Sequence, residues 1–462
     1  MRTLAAFPIH LSVWMRSRVP VQSPATAELL QPLLTAHFML ALDWVRNCGK
    51  PLAVETTLVG LVHGALSQLA GCESRAEFGL GLVRGFGANL DMTTRAAFAA
   101  QVYTWVRESL PSPSTPLHVT SQAGVLKAVT FSPATFGGRL DRRAVLEGAL
   151  VPTVSMQLAL DVAAKWMEHM EPIILVGPEG AGKSLLVHHL VSQRRSTSST
   201  TLHCNSQTTA EHVIQKIRQL CVLQSSMTGR TYRPREGDRL VLFLKDINLP
   251  KPDKYGTCSL IAFLQQLLTF QGRSHHDVND ASQAARTHMQ RHYVIVRVRC
   301  SCAGFYDENR EFLGVERVHI IASMSSNATV GRHAPSTRFT ANARILNMDY
   351  PDAAELTSIF GMYMGGALLD QRLHWPDDAA GDPLALLYKL AGTMVSVYQR
   401  VVAEFTVDQH RHYVFTPRDL FAWMAGMLRY PIDDEPLLLI FAYEACRVFR
   451  DRYERVRALA GG

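Results

Sequence analysis

One stretch of this chain constrains its fold more than any other, ILVGPEGAGKSLLVHHL at residues 174–190. It has the pattern G-x-x-x-x-G-K-S, directly after an apolar strand pattern and directly before an amphipathic helix pattern. In such a loop the glycines let backbone N–H groups turn inward around a phosphate, the lysine reaches the β and γ oxygens, and the serine hydroxyl ligates Mg²⁺. A chance glycine-rich turn is the alternative. The predicted nucleoside triphosphate site comprises Gly177, Pro178, Glu179, Gly180, Ala181, Gly182, Lys183 and Ser184, with Ser184 as the metal ligand.

The pattern around this loop predicts an α/β fold. Short apolar segments, PIILVG, STTLHC, RLVLFL, RVHIIAS and ARILNM, alternate with helical stretches, which favours a parallel sheet between helices. Apolar spacing predicts helices on both sides of this block, and PSPSTP at 111–116 marks a boundary. The predicted domains are an unassigned N-terminus at 1–24, a helical block at 25–116, an α/β block at 117–350 and a helical block at 351–462.

Composition excludes several classes of protein. Of the 462 residues, 47% are apolar and 19% charged, which is ordinary for a globular protein. The net charge of +7 comes without a basic run interleaved with aromatic residues, so no nucleic acid partner is expected. No apolar run reaches the roughly 18 residues that span a membrane, and EPLLLIFAYEA is predicted to be a buried helix. The eight cysteines form no C-x-x-C pair, which indicates a reducing compartment.

The segment RLVLFLKD at 239–246 is the candidate for a second acidic element of the nucleotide site. The usual form ends in Asp-Glu, where the aspartate holds Mg²⁺ and the glutamate polarises the attacking water. Here Lys245 stands in the first place and Asp246 in the second, and a lysine ammonium cannot ligate a metal. If Asp246 is aligned instead with the aspartate that holds Mg²⁺, Ile247 stands at the position of the glutamate, and no side chain there can activate the water. Both alignments predict binding without efficient hydrolysis, while a plain buried strand is the structural alternative.

Longer motifs resemble the dynein heavy chain family. TLHCNSQTTAEHVIQKI, GRTYRPREGDRLVLFLKDINLPKPDKYGT, GFYDENREFLGVERVHIIASMS and TRF are similar to the third AAA+ module of that family, in its cytoplasmic type 2 class. GLVRGFGANLDMTTRAAFAAQVYTWVRESLP resembles the lid of the second module. The resemblance implies an AAA+ P-loop core with flanking helical lids, and ATP or ADP with Mg²⁺ as cofactors.

The resemblance also implies roles for residues outside the loop. Pro152 and Thr153 match the backbone near adenine, and Arg418 in FTPRDL matches the lid arginine that reaches the γ-phosphate of its own module. Arg338 in STRF matches the arginine that reaches the nucleotide of the preceding module. The polar sensor of the family is an asparagine, whereas Ser325 aligns with it here and Asn327 is a nearby substitute. The implied catalytic set is Asp246, Arg338, Arg418 and Ser325, and a surface ion pair is the alternative for either arginine.

The expected function is that of a regulatory ring module in a minus-end-directed microtubule motor of retrograde intraflagellar transport, with weak or absent hydrolysis. A hydrolysing module that uses Asp246 as base, and a spacer without nucleotide, remain alternatives. The implied partners are neighbouring AAA+ modules, dynein intermediate and light chains, and microtubules, with no membrane. The implied location is the cytoplasm and cytoskeleton, in a cilium or flagellum.

Residues 273–304 fit none of these patterns. They contain four of the 18 histidines, two of the eight cysteines and five arginines against two aspartates. A metal site is one interpretation, although the spacing of these histidines and cysteines matches no standard zinc pattern. A surface insertion and a translated intron are the other two. Both are favoured because removal of residues 273–304 would join LLTFQG to FYDENREF as a helix followed by a loop.

We expect residues 273–304 to be absent from mature message, as a retained intron would be. Sequencing of cDNA across the codons for residues 260–320 tests this. Mature transcripts that consistently carry the segment would contradict the intron hypothesis and leave a protein insertion.

Overall fold

The computed structural model describes residues 30–133, 140–226, 229–269, 303–307, 310–325, 331–368, 383–410, 412–430 and 436–452. These residues form two compact units, each with its own buried core. The sheet unit comprises the described residues within 1–129, 159–177 and 187–348, and the helical unit those within 130–158, 178–186 and 349–462. The division by sequence order, at 116 and 350, stays a prediction.

The N-terminal part of the sheet unit is helical, as its apolar spacing predicted. Thr57 and Ser74 cap two of its helices, each accepting a hydrogen bond from the backbone N–H three residues later. Gly85 allows the helix that contains it, Arg75–Gly87, to pack closely against the helix Leu58–Leu69, because a Cβ on Gly85 would overlap the backbone of Ala65. A π-helical turn, Leu34–Phe38, leads into α1 (Met39–Asn47), α2 (Leu58–Leu69), α3 (Arg75–Gly87) and α4 (Met92–Val106).

A short antiparallel hairpin follows these helices, formed by β1 (Val119–Gln122) and β2 (Val125–Ala128). The chain then forms α5 (Arg142–Glu147) and α6 (Val154–Glu168) before it enters the main sheet.

The main sheet is parallel and has five strands, which confirms the predicted α/β architecture. Its order is β11-β3-β10-β7-β4, so that β10 lies between the strand that precedes the glycine-rich loop and the strand that precedes Asp246. Every residue of β3 is buried, as expected for a strand covered on both faces. The strands are β3 (Ile173–Val176), β4 (Thr197–His203), β7 (Arg239–Lys245), β10 (Val318–Met324) and β11 (Arg344–Asn347).

Three helices follow strands of this sheet or the loops between them, and each buries apolar residues. They are α7 (Lys183–Ser192), α8 (Ala210–Leu220) and α9 (Ser259–Thr269). The sheet also packs against α10 (Thr337–Thr340) through Phe339, which is 1% exposed.

A second sheet of four strands lies in the same unit, in the order β5-β6-β9-β8. The prediction of a loop at FYDENREF is wrong for its first two residues, because Phe305 and Tyr306 belong to the strand Ala303–Tyr306. Phe305 is 1% exposed and packs against the rings of Tyr232 and Phe263, and this burial favours a strand. The strands are β5 (Cys221–Ser226), β6 (Gly229–Pro234), β8 (Ala303–Tyr306) and β9 (Phe312–Val315). Residues 270–302, which hold nearly all of the unusual segment, lie outside the described residues.

Arg95 joins the helical part of the sheet unit to the edge strand β11. Its guanidinium donates to the carbonyl oxygens of Gly87, Ala88, Leu90 and Asn347 at 2.8–3.0 Å. Asn347 completes the junction, because its backbone N–H donates to Ala88 and its amide to Leu90. The half-buried Arg95 guanidinium therefore ties four backbone carbonyl groups together at this junction.

The helical unit packs long apolar helices around Trp423, Leu420 and Met394, all fully buried. EPLLLIFAYEA is helical as predicted, but only one face is buried, since Leu439 and Tyr443 are each 59% exposed. Its helices are α11 (Ala353–Leu368), α12 (Pro383–Glu404), α13 (Pro417–Met427) and α14 (Leu437–Ala445), and a π-helical turn, Cys446–Arg450, follows α14. No helix among the described residues is both long enough and apolar enough to cross a membrane.

His319 makes the stability of the sheet unit depend on pH. Its Nε2–H donates to the backbone oxygen of Glu171 at 2.6 Å, and its Nδ1 is buried with no hydrogen-bond partner in the described part of the chain. The pKa of His319 is lowered to about 4, chiefly by burial and in smaller part by the charges of Arg194 and Arg239, while the bond to Glu171 opposes the shift. A histidine with a lowered folded pKa destabilises the fold as the pH falls below its unfolded pKa, because only the unfolded state then takes up the proton.

We expect the free energy of unfolding to fall by about 2 kcal/mol between pH 7 and pH 5 on account of His319 alone. His319→Gln retains a donor but does not titrate, so its urea denaturation midpoint should vary less over this range. The exposed His412→Gln serves as control. An equal pH dependence for His319→Gln and the unsubstituted chain would contradict the prediction.

Candidate phosphate-binding loop and sheet edge

Gly177 ends the strand β3 and opens the glycine-rich loop. Its φ of +149° is one that residues with a side chain rarely adopt, and a Cβ there would overlap the carbonyl oxygen of Met348. The backbone of Met348 approaches so closely because its N–H donates to Val176, which continues the pairing of β11 with β3. Only glycine therefore fits at the point where the loop leaves the sheet.

Gly180 and Gly182 give the loop its turns within the helical unit, with φ of +88° and +83°. A Cβ on Gly180 would lie 3.3 Å from Pro417 and 3.6 Å from the Arg418 side chain, at the start of α13. A Cβ on Gly182 would lie 2.8 Å from the methyl group of Met156. The structure thus brings the predicted lid arginine, Arg418, next to the loop, with its side chain exposed.

Two polar contacts hold the loop in shape. The ammonium of Lys183 donates to the carbonyl oxygen of Pro178 at 2.7 Å, and the hydroxyl of Tyr350 donates to that of Glu179 at 2.7 Å. Lys183 and the half-buried Ser184 are the first residues of α7. A helix N-terminus favours a bound anion, because its first N–H groups have no partner within the helix.

Pro152 and Thr153 belong to the same unit as the loop and stand just before α6. Thr153 is 2% exposed, and its N–H donates to Val151 at 2.9 Å. The carbonyl of Pro152 accepts from the Gln157 amide at 2.6 Å. These bonds fix the backbone at both residues, and a role near adenine stays a prediction.

Asp246 stands directly after β7, at the carboxyl edge of the main sheet. Its φ is +57°, a left-handed conformation that aspartate tolerates better than most residues with a side chain. Its Oδ1 accepts a hydrogen bond from Arg332 Nη1 at 3.0 Å. The Arg332 side chain is 8% exposed and that of Asp246 38% exposed.

Asn248 extends this ion pair toward the next strand. Arg332 Nη1 also donates to the side-chain oxygen of Asn248 at 3.2 Å, and the Asn248 amide donates to the backbone oxygen of Ser325 at 3.1 Å. The guanidinium is therefore fixed between two acceptors. Sequence reasoning missed Arg332, because 86 residues separate it from Asp246 and no local pattern marks its partner.

Ser325 follows β10 at the same edge of the sheet. It is 3% exposed, and its hydroxyl oxygen is buried without a hydrogen-bond partner among the residues that the structure describes. A buried polar atom in this condition is uncommon and indicates a position where a ligand or water is accepted. Asn327, the alternative sensor, lies outside the described residues.

Arg338 is exposed in the short helix α10, whose first turn is capped by the hydroxyl of Ser336. It belongs to the sheet unit, so the structure places it in the same unit as Asp246 and Ser325. Its predicted action on the nucleotide of a preceding module stays a prediction.

The part of the chain that the structure describes has no group of histidine, cysteine and acidic residues able to hold a metal ion. The predicted metal alternative, His275, His276, His288, His292, Cys300 and Cys302, lies outside that part. Near the sheet edge, the pKa of Cys204 is raised to about 12, chiefly by burial and in smaller part by the charge of Asp246. The Cys204 thiol therefore stays protonated and is a poor metal ligand.

Three known protein families match separate parts of this chain. Residues 139–285 match the P-loop containing dynein motor region, and residues 379–456 match the dynein heavy chain ATPase lid domain. Residues 11–106 match the AAA+ ATPase domain of cytoplasmic dynein 2 heavy chain 1. The glycine-rich loop lies inside the first match and Arg418 inside the second. The chain belongs to the dynein heavy chain family.

Individual dynein relatives agree with this assignment. Cytoplasmic dynein 2 heavy chain 1 of Rattus norvegicus is 38% identical over 460 residues, 96% of this chain and 10% of the relative. Its counterparts in Homo sapiens and Chlamydomonas reinhardtii are 40% and 34% identical over 430 residues, covering 90% and 92% of this chain. The chain spans about a tenth of the length of these dyneins. P-loop dynein modules generally bind nucleotide with Mg²⁺, and the glycine turns and the helix N-terminus of the loop fit such a ligand.

We expect Gly177→Ala to destabilise this dynein chain more than an ordinary glycine substitution. The strained φ and the overlap with Met348 should together lower the free energy of unfolding by about 3 kcal/mol or more. Gly49→Ala is the matched control, because Gly49 has a φ of +70° but open space around its Cβ position, and should cost about 1 kcal/mol. Urea denaturation of both variants measures the difference, and equal losses would contradict the importance of the close approach.

Proposed function

We propose that this dynein chain is an ATP-binding AAA+ ring module that holds Mg-ATP or ADP with weak or absent hydrolysis of its own. In the parent motor it would regulate minus-end-directed movement along microtubules by its nucleotide state. The relatives named cytoplasmic dynein 2 support a motor of retrograde intraflagellar transport, acting in the cytoplasm and in a cilium or flagellum.

The shape of the glycine-rich loop supports nucleotide binding. Gly177, Gly180 and Gly182 adopt the positive φ values that turn a loop back on itself, and the loop ends at the N-terminus of α7. Lys183 and Ser184 stand where the phosphates and Mg²⁺ would be bound. When bound, the metal would neutralise phosphate charge and orient the γ-phosphate.

The hydrogen bond between Asp246 and Arg332 is the observation that supports weak hydrolysis. Its carboxylate would have to accept a proton from water or share in holding Mg²⁺, yet one oxygen already accepts a hydrogen bond from the buried Arg332. The guanidinium occupies that oxygen, so it competes there with a water molecule or with Mg²⁺. Lys245 at the preceding position adds no metal ligand.

The other predicted residues have supporting roles in this proposal. Ser325 would sense the nucleotide through its unpartnered hydroxyl, and Arg418 would bind the γ-phosphate from the lid. Arg338 would reach the nucleotide of the preceding module, which makes neighbouring AAA+ modules the immediate partners. Dynein intermediate and light chains and microtubules are partners of the parent motor.

We expect the full chain to bind a fluorescent Mg-ATP analogue and to release little phosphate in a single turnover. Lys183→Ala should abolish binding, because it removes the only charged side chain of the loop that is able to attract phosphate. Lys216→Ala, at a half-buried position in α8 outside the loop, is a matched loss of one lysine and should bind as the unsubstituted chain does.

Asp246→Ala separates the remaining possibilities. A holding site predicts tight binding and negligible phosphate release in both the unsubstituted chain and Asp246→Ala. Phosphate release that disappears in Asp246→Ala would identify an active ATPase with Asp246 as base. Failure of the unsubstituted chain to bind ATP at all would identify a structural spacer.

A further inference from the structure

Tyr350 lies outside the glycine-rich loop and donates a hydrogen bond to a backbone carbonyl of the loop. Its hydroxyl donates to the backbone oxygen of Glu179 at 2.7 Å across 171 residues of sequence, and the residue is 39% exposed. Burial raises the pKa of Tyr350, and the neighbouring Glu179 and Asp419 raise it further, while Arg418 opposes the shift. The hydroxyl therefore remains protonated, and able to donate, throughout the physiological pH range.

This bond determines the direction of the peptide group between Glu179 and Gly180. All peptide bonds of the described residues are trans, and in a trans peptide the carbonyl and the N–H point to opposite sides. Because the Glu179 oxygen faces Tyr350, the Gly180 N–H faces away from Tyr350. Gly180 has a φ of +88°, and without a side chain its flanking peptide groups reorient easily.

The packing of Gly180 against the start of α13 restricts the conformations that the turn can adopt. The position of a Cβ on Gly180 lies 3.3–3.6 Å from Pro417, Arg418 and Thr416 at the start of α13. The turn is thus held between the tyrosine hydroxyl and the first turn of the lid helix. A reversed peptide would turn a carbonyl oxygen, rather than an N–H, toward the side that faces away from Tyr350.

We propose that Tyr350 is a positioning residue for the phosphate groups of the nucleotide. Its hydroxyl holds the 179–180 peptide so that the Gly180 N–H is directed to the phosphate, and it touches no nucleotide atom itself. An anionic ligand needs donors around it, and a carbonyl oxygen in their place would repel it. This inference rests on the proposed nucleotide site and names one determinant of its affinity.

The experiment uses the full chain, Tyr350→Phe and a fluorescent Mg-ATP analogue. Loss of the single hydrogen bond should raise the Kd for the analogue about fivefold, with the thermal unfolding midpoint in the absence of nucleotide unchanged. Tyr430→Phe is the control, because it also loses a tyrosine hydroxyl bond in the helical unit, to Glu444 at 2.9 Å, and leaves the loop untouched. Its Kd should equal that of the unsubstituted chain.

A double variant tests whether Tyr350 acts through the 179–180 peptide. Gly180→Ala strains the same turn, so Tyr350→Phe should weaken binding less in that background than in the unsubstituted chain. Equal Kd values for Tyr350→Phe and the unsubstituted chain, or fully additive effects of the two substitutions, would overturn the proposal. An unsubstituted chain that binds no ATP would overturn the proposed function itself, which is a separate outcome.

Discussion

The parallel pairing of β10 with both of its neighbours is the constraint on which the sheet edge depends. Its register places Met324 opposite Val176 of β3 and Ala322 opposite Leu244 of β7. Because parallel strands all end at the same edge, the residues that follow them, Gly177, Asp246 and Ser325, are brought to that edge. A shift of one residue would reverse every side chain of the buried strand β10 and remove this alignment.

The conformation at the end of β7 follows from that pairing. The N–H of Ile247 donates to Ser323 of β10, so the chain remains tied to its neighbour one residue beyond Asp246. The chain changes direction at Asp246, which adopts a left-handed φ. The conformational free energy of this strained φ must be offset by surrounding bonds. The ion pair with Arg332 and the Asn248 bonds supply that support. The strained residue is thus held in place by the same guanidinium that engages its carboxylate.

Much of this fold could be predicted from the sequence, because its main signals are local. Five apolar segments became the five strands of the main sheet, and the glycine-rich loop was recognisable from spacing alone. The second sheet was missed, since β8 follows the unusual segment and is held by the distant rings of Tyr232 and Phe263. Arg332 and Tyr350 were missed for the same reason. Each contacts its partner only after the chain has folded, across 86 and 171 residues, and no periodicity encodes such a contact.

Binding and hydrolysis are physically separable at a site of this kind. Phosphate binding uses backbone N–H groups and one lysine, which persist in any sequence that keeps the glycine turns and the helix N-terminus. Hydrolysis needs in addition a carboxylate with a free lone pair at one position, and a single residue supplies it. The apolar residues that hold β7 in the sheet lie before that position, so a change at Lys245 or Asp246 leaves the core intact. A module of this kind can therefore lose its chemistry through a change at one carboxylate while the phosphate-binding loop and the core are preserved.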